Sequence, residues 1–142
     1  MFTSLNVLLL KKILKMDRRN FDLEDRLIDF AVLISEIIEI LPDTKLANHL
    51  GNQGTRGSTA PALLYGEAQS AESQRDFIHK IKILLKELRE TKICLKIVLR
   101  KGFINYLKLN EALKENEELI AIFAKSVKTA ESKLTNKISN NE

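Results

Sequence analysis

The sequence predicts an all-α protein, an up-and-down four-helix bundle, and three observations predict it. Only 5 Gly and 2 Pro punctuate 142 residues, too few for a sheet of many short turns. Apolar residues recur at helical spacing in long successive stretches. Capping and helix-breaking residues gather between those stretches. Hydrophobic residues at 44% and charged residues at 30% fit one ordinary globular domain, large enough for a real core.

The chain opens on a short apolar run, Leu5 to Leu10, followed by Lys11, Lys12 and Lys15. A secretory signal places its charge first, and no run approaches the roughly 18 apolar residues of a membrane span. Residues 1–20 are therefore expected to be a basic N-terminal extension, and no membrane partner is expected. A short amphipathic helix touching a membrane is the weaker reading. Residues 21–134 hold the bundle, and 135–142 are expected to be a frayed polar tail.

Phe21 to Asp25 reads as a helix start, with an apolar residue ahead of Asp22 and acids in the first turn. The first helix is expected from about Leu23 to Leu41, stopping before Pro42. Leu27, Ala31, Ile34, Ile38 and Leu41 form one helical stripe, which Phe30, Leu33, Ile37 and Ile40 widen. So wide an apolar face implies burial against more than one neighbour. Asp25, Asp29 and Glu36 hold the remaining face, with Glu39 at its edge.

Asp43-Thr44 can cap a second helix running to about Ala68, with Leu46, Leu50 and Leu63 on its apolar side. Its middle is poor helix material. Gly51, Gly54, Gly57 and Pro61 cost several kcal/mol, at roughly 1 per Gly and about 3 for an interior Pro. Either tertiary packing offsets that, or the helix kinks or breaks. The small residues admit a close neighbouring backbone or line a groove for a ligand or partner. Arg56 and Glu67 lie eleven residues apart, three turns, so a continuous helix puts them on one face. Each is expected to pair across to a neighbouring helix or subunit.

A third helix is expected to start at Ser70 or Ser73 and to run without Gly or Pro to Lys101, where Gly102 ends it. Phe77, Ile81, Leu84, Leu88, Leu95 and Leu99 form its main stripe, while Ile83, Cys94 and Ile97 lie on another side. Between these strips Arg75, His79, Lys82, Lys86, Arg89, Lys96 and Arg100 follow steps of four and three, interrupted at Ile93. The row is roughly 38 Å long. Residues 74–101 hold nine basic residues against three acids, a net of +6. Residues 22–43 hold seven acids against Arg26, a net of −6. The overall charge of +4 hides this opposition. A fourth helix is expected over about Leu107 to Leu134, its stripe of Leu109, Leu113, Ile120, Phe123, Val127, Ala130 and Leu134 broken by Asn116.

One block is more specific than helix packing requires: Pro61 to Ser73, P-A-L-L-Y-G-E-A-Q-S-A-E-S, followed by Asp76-Phe77 and the run Leu84 to Leu99. It resembles the bacterial four-helix-bundle family first met as proteins encoded inside intervening sequences of 23S ribosomal RNA. The resemblance spans about Asp22 to Leu134, and Arg56, Pro61, Tyr65, Gly66 and Glu67 stand as its structural motif. Two departures are Leu64, where many relatives carry Asn, and the order R-G-S-T in place of R-S-G-T. Met16 opens M-D-R-R-N-F-D-L-E-D much as family members begin, so Met1 to Lys15 is read as an extension or a misassigned start. The family is similar to the accessory protein of diversity-generating retroelements. That similarity implies a barrel-like homopentamer that binds nucleic acid and a reverse transcriptase.

The chemistry of an enzyme is missing. His49 and His79 lie on different helices without ligand-spaced partners, and zinc wants three or four ligands. No phosphate-loop, dinucleotide or nucleophile-elbow motif occurs, and neither Ser58 nor Ser70 has an identifiable base. Glu67 lacks a second acid or a histidine beside it. A single cysteine, Cys94, forms no internal disulfide and fits a reducing cytoplasm, where it reads as a small buried hydrophobe. The chain is expected to be no enzyme and to need no metal or cofactor.

Three readings of the basic row remain. It is a solvated face, or a subunit interface meeting the acidic first helix head to tail, or a track for phosphates. Without interleaved aromatics, shape and charge recognition is favoured over base reading. The expected function is non-catalytic nucleic-acid binding through Arg75, Lys82, Lys86, Arg89, Lys96 and Arg100, with His79 as a pH-sensitive accessory; RNA is favoured only by the resemblance, whose members are encoded in ribosomal RNA intervening sequences. The alternative is a protein-interaction scaffold that docks a polymerase or reverse transcriptase.

Overall fold

The computed structural model describes residues 6–10, 18–104 and 106–142. Residues 6–10 are helical, and after them come α1 (Arg18–Glu39), α2 (Lys45–Gln69), α3 (Gln74–Lys101) and α4 (Tyr106–Ser139). No strand occurs among the described residues. The rest of Met1–Lys15, and Met16 as an alternative start, lie outside them.

Short connections fold the helices back on one another, as an up-and-down bundle requires. α1 packs on α2 and α4, and α3 packs on α2 and α4, while the diagonal pairs meet only through side chains in the core. The α2–α3 seam is the most intimate and the α1–α4 seam the least. The latter is clasped by polar groups: Arg26 Nε and Nη2 reach Glu115 and Glu118, and Lys108 meets Glu36 at 3.2 Å.

Local chemistry sets the helix ends. Thr44 Oγ1 accepts from the Ala47 N–H at 3.1 Å, capping α2. Ser73 Oγ accepts from the Asp76 N–H at 3.1 Å, which settles the choice of cap for α3. Ser70 instead ends α2. Gly102, at φ 68°, ends α3 in the left-handed region that glycine enters without strain.

Two boundaries differ from expectation. α1 begins at Arg18, so Phe21 to Asp25 lie inside the helix and do not start it. α4 continues through Ser139, so most of the expected frayed tail is helical. No Gly or Pro interrupts that segment, and Thr135 and Ser139 return their hydroxyls to the carbonyls of Glu131 and Thr135.

The core is built from Leu27, Phe30, Ile34 and Ile37 of α1 with Ile81, Leu84, Leu88 and Leu95 of α3, closed by Leu109, Leu119 and Phe123 of α4. Several apolar assignments shift, among them Leu46, which is exposed on α2. Leu63 is 69% exposed, because it lies two residues from both buried Pro61 and buried Tyr65, about 200° round the helix. Ile40 is exposed because it falls past the end of α1. α3, flanked by helices on two sides, buries Ile78, Leu85 and Val98, while Phe77 and Leu99 are only half-buried.

α2 is one uninterrupted helix despite its glycines and Pro61, so tertiary packing has offset their cost. Gly51 and Gly54 lie under Ile38 of α1, and a Cβ at Gly54 would stand 2.9 Å from the Ile38 Cδ1. Gly57 faces the other way. A Cβ there would stand 2.7 Å from Thr91 Oγ1 and 3.7 Å from the Glu87 carbonyl of α3. The small residues therefore admit neighbours on both sides of α2, and no ligand groove runs between the glycines and those neighbours. Asn116 does not break the α4 stripe. It is fully buried within it, and neither its amide nitrogen nor its amide oxygen has a partner.

Candidate nucleic-acid interface

α3 carries the basic row because its sequence places a cation, or His79, at nearly every outward turn while core residues occupy the opposite arc. Arg75, His79, Lys82, Lys86, Arg89, Lys96 and Arg100 are all exposed, as is Ile93. The structure thus brings every member of the predicted row onto one solvent-facing strip of one uninterrupted helix.

Carboxylates on the neighbouring helices take the cations at the edges of this strip. Lys80 meets Glu67 of α2 at 3.2 Å, and Lys92 meets Glu117 of α4 at 3.0 Å. Within the row only Lys82 is so engaged, with Glu131 of α4 at 2.8 Å. Arg75, Lys86, Arg89, Lys96 and Arg100 form no ion pair among the described residues. Lys82 is therefore the least available of the predicted contacts. α3 contains no Gly or Pro to bend it, so the row stays in line.

The motif residues from the end of α2 have structural duties. Pro61 and Tyr65 are buried, and the Tyr65 ring meets Phe123 of α4 edge-on at 5.6 Å. Burial pushes the Tyr65 hydroxyl above its ordinary range, and the hydrogen bond to Gln69 only partly opposes this. Glu67 pairs across to α3, as its position on α2 implied. Arg56 does not; its guanidinium donates to Gln53 at 2.9 Å on its own helix. Gly66 is exposed, and a Cβ there would meet nothing within 4 Å.

Sequence reasoning missed a groove beside the row. About 410 Å³ in volume, it lies between α2 and α3 and is lined by His49, Gln53, Arg56, Glu90, Ile93 and Ile97, with Leu50 and Cys94 at its floor. The Cys94 thiol contacts the Leu50 carbonyl at 3.4 Å, and burial pushes it away from the reactive thiolate. The signal was present in the spacing of Ile93 and Ile97, a second apolar strip on a helix whose core stripe was already complete. Among the described residues no group of His, Cys, Asp or Glu side chains is placed to hold a metal. No helix there is long and apolar enough to cross a membrane.

The family model of the 23S rRNA-intervening sequence protein matches residues 19–125. The chain belongs to that family. The match takes in α1, α2 and α3 and more than half of α4, so it contains the whole basic row and the Pro61–Ser73 block. Among solved structures, the chain is similar to a protein of unknown function from the S23 ribosomal protein family of Bacteroides thetaiotaomicron. The two are 26% identical with a TM-score of 0.66, over 75% of this chain and 98% of that one. No curated protein matches the chain.

Proposed function

We propose that this family member is a non-catalytic nucleic-acid-binding protein that works as a homo-oligomer and holds phosphates along the outer face of α3. The observation that carries the proposal is the row itself. Arg75, Lys86, Arg89, Lys96 and Arg100 project from a straight helix into solvent, and no carboxylate of the described chain neutralises them. Aligned cations of this kind release counterions when they meet a phosphate backbone. With no aromatic in the row, recognition rests on shape and charge, which suits structured RNA. The family's link to ribosomal RNA favours RNA over DNA, and its resemblance to barrel-forming proteins favours a pentamer.

Fluorescence anisotropy of a structured RNA and a matched DNA duplex, titrated at low and physiological salt, tests this. Binding is expected to weaken by about 0.7 to 0.9 in log K per phosphate contact for each tenfold rise in salt. Lys86→Glu with Arg89→Glu is expected to lower RNA affinity on the order of tenfold or more. An absence of binding at low salt by folded protein would sink the proposal.

A further inference from the structure

The row is uneven along its length. Its N-terminal part, Arg75 to Arg89, holds basic residues alone, whereas its C-terminal part alternates cation and aliphatic: Ile93 is 56% exposed and Ile97 39%, beside Lys96 and Arg100. Water gains nothing from isoleucines held at its surface, and this pair opens onto the groove that α2 completes with His49, Gln53 and Arg56. With Ile93 and Ile97 exposed, Arg56 in the lining, and Lys96 and Arg100 beside it against the single acid Glu90, this face suits an acidic amphipathic helix better than it suits a phosphate backbone.

The chain carries such a helix. The outer face of α1 exposes Ile28 at 45%, Val32 at 52% and, just past its end, Ile40 at 59%. Asp25, Asp29 and Glu39 stand beside them, exposed and without an ion pair among the described residues. From Ile28 to Ile40 this strip is about 18 Å long, and from Glu90 to Arg100 the groove is about 15 Å long. The two faces are similar in length and oppose each other in charge, with Asp25, Asp29 and Glu39 on one and Arg56, Lys96 and Arg100 on the other, Glu90 being the one acid of the groove's lining. α1 packs beside α2, but its backbone makes no close approach to α3, whose Lys96 and Arg100 are exposed and form no ion pair with it among the described residues.

We infer that the outer face of α1 in one copy seats in the α2–α3 groove of the next, with Asp25, Asp29 and Glu39 facing Lys96, Arg100 and Arg56. Such a contact joins two different surfaces and is head-to-tail, so successive copies form a closed ring or an open filament. It also divides α3 between two tasks. Lys96 and Arg100 belong to the assembly, and Arg75, Lys86 and Arg89 are left for nucleic acid. The assembly contact stands without the nucleic-acid proposal; only this division of labour rests on it.

Light scattering behind size exclusion, with circular dichroism to confirm folding, tests the contact on the full chain. The unmodified protein is expected to run as a multimer. Lys96→Glu with Arg100→Glu is expected to shift it to monomer, as is Asp25→Lys with Asp29→Lys. All four changes in one chain restore opposite charges across the contact and are expected to recover the multimer. A monomeric unmodified protein, a single-face variant that keeps its mass, or a four-change chain that stays monomeric would each overturn the inference. Arg75→Glu with Lys86→Glu serves as the separate arm. It is expected to keep the multimer's mass and weaken structured-RNA binding, and unchanged RNA binding with the assembly intact would remove the nucleic-acid reading alone.

Discussion

At the scale of single residues, the glycines of α2 look alike in sequence and differ in what surrounds them. Gly57 abuts the branched Thr91 side chain, whose hydroxyl is tied to the Glu87 carbonyl at 2.9 Å and has little room to yield. Gly57→Ala is therefore expected to cost about 1 to 3 kcal/mol in a denaturant melt, as overpacking does. Gly66 has open space around it, so Gly66→Ala is expected to stabilise the free chain by about 0.5 to 1 kcal/mol. Two weak acids act at high pH: Tyr65, which is buried, and Cys94, which is half-buried where the sequence predicts full burial. Tyr65 and Cys94 both titrate above their ordinary values of 10.0 and 9.0, because burial penalises the charged form. In the unfolded chain each releases its proton first, so stability is fully present below pH 9 and falls as pH rises through the two unfolded values. Thermal melts between neutral and alkaline pH are expected to show that fall, with a shallower slope in Tyr65→Phe.

At the scale of elements, the four helices and their turns were legible because every helix has a period and α2 and α3 have caps. Ser73 and Gly102 bound α3 as their residue types demand. The continuity of α2 was not legible, since local propensity argues against it. Its helix survives through packing of α1 and α3 onto a surface small enough to receive them, a fact about neighbours and not about the segment. Leu63 and Ile40 were misassigned for a related reason: an apolar stripe does not say which arc a neighbour covers or where the last turn ends. The basic row was fully legible, because a net of +6 on one uninterrupted helix needs no tertiary knowledge. What the sequence could not assign was which cations are already engaged. Lys82 looks like its neighbours until Glu131 arrives from α4.

At the scale of the whole molecule, the bundle is a ring of unequal seams. Backbone approach at the glycines tightens α2 against its neighbours, while α1 and α4 approach least and their outer edge is held by the ion pairs of Arg26 and Lys108. Ion pairs as exposed as these contribute at most about 1 kcal/mol each, and salt screens them. Amide hydrogen exchange is therefore expected to be slowest in the middle of α2 and α3 and faster in α1. Equal protection across all four helices would contradict a weak α1–α4 seam.

The unpartnered amide of Asn116 gives this seam a further consequence. In the described chain both amide atoms of Asn116 are buried without a partner, at about 1 to 3 kcal/mol per unsatisfied group, and a bundle with α4 turned or lifted lets water reach them. The energy gap between the packed and the loosened chain is thus narrower than the aliphatic core alone would set. Asn116→Leu widens that gap. It is expected to raise the melting temperature and to suppress the fastest opening of α4, yielding a protein that is more durable and less able to breathe.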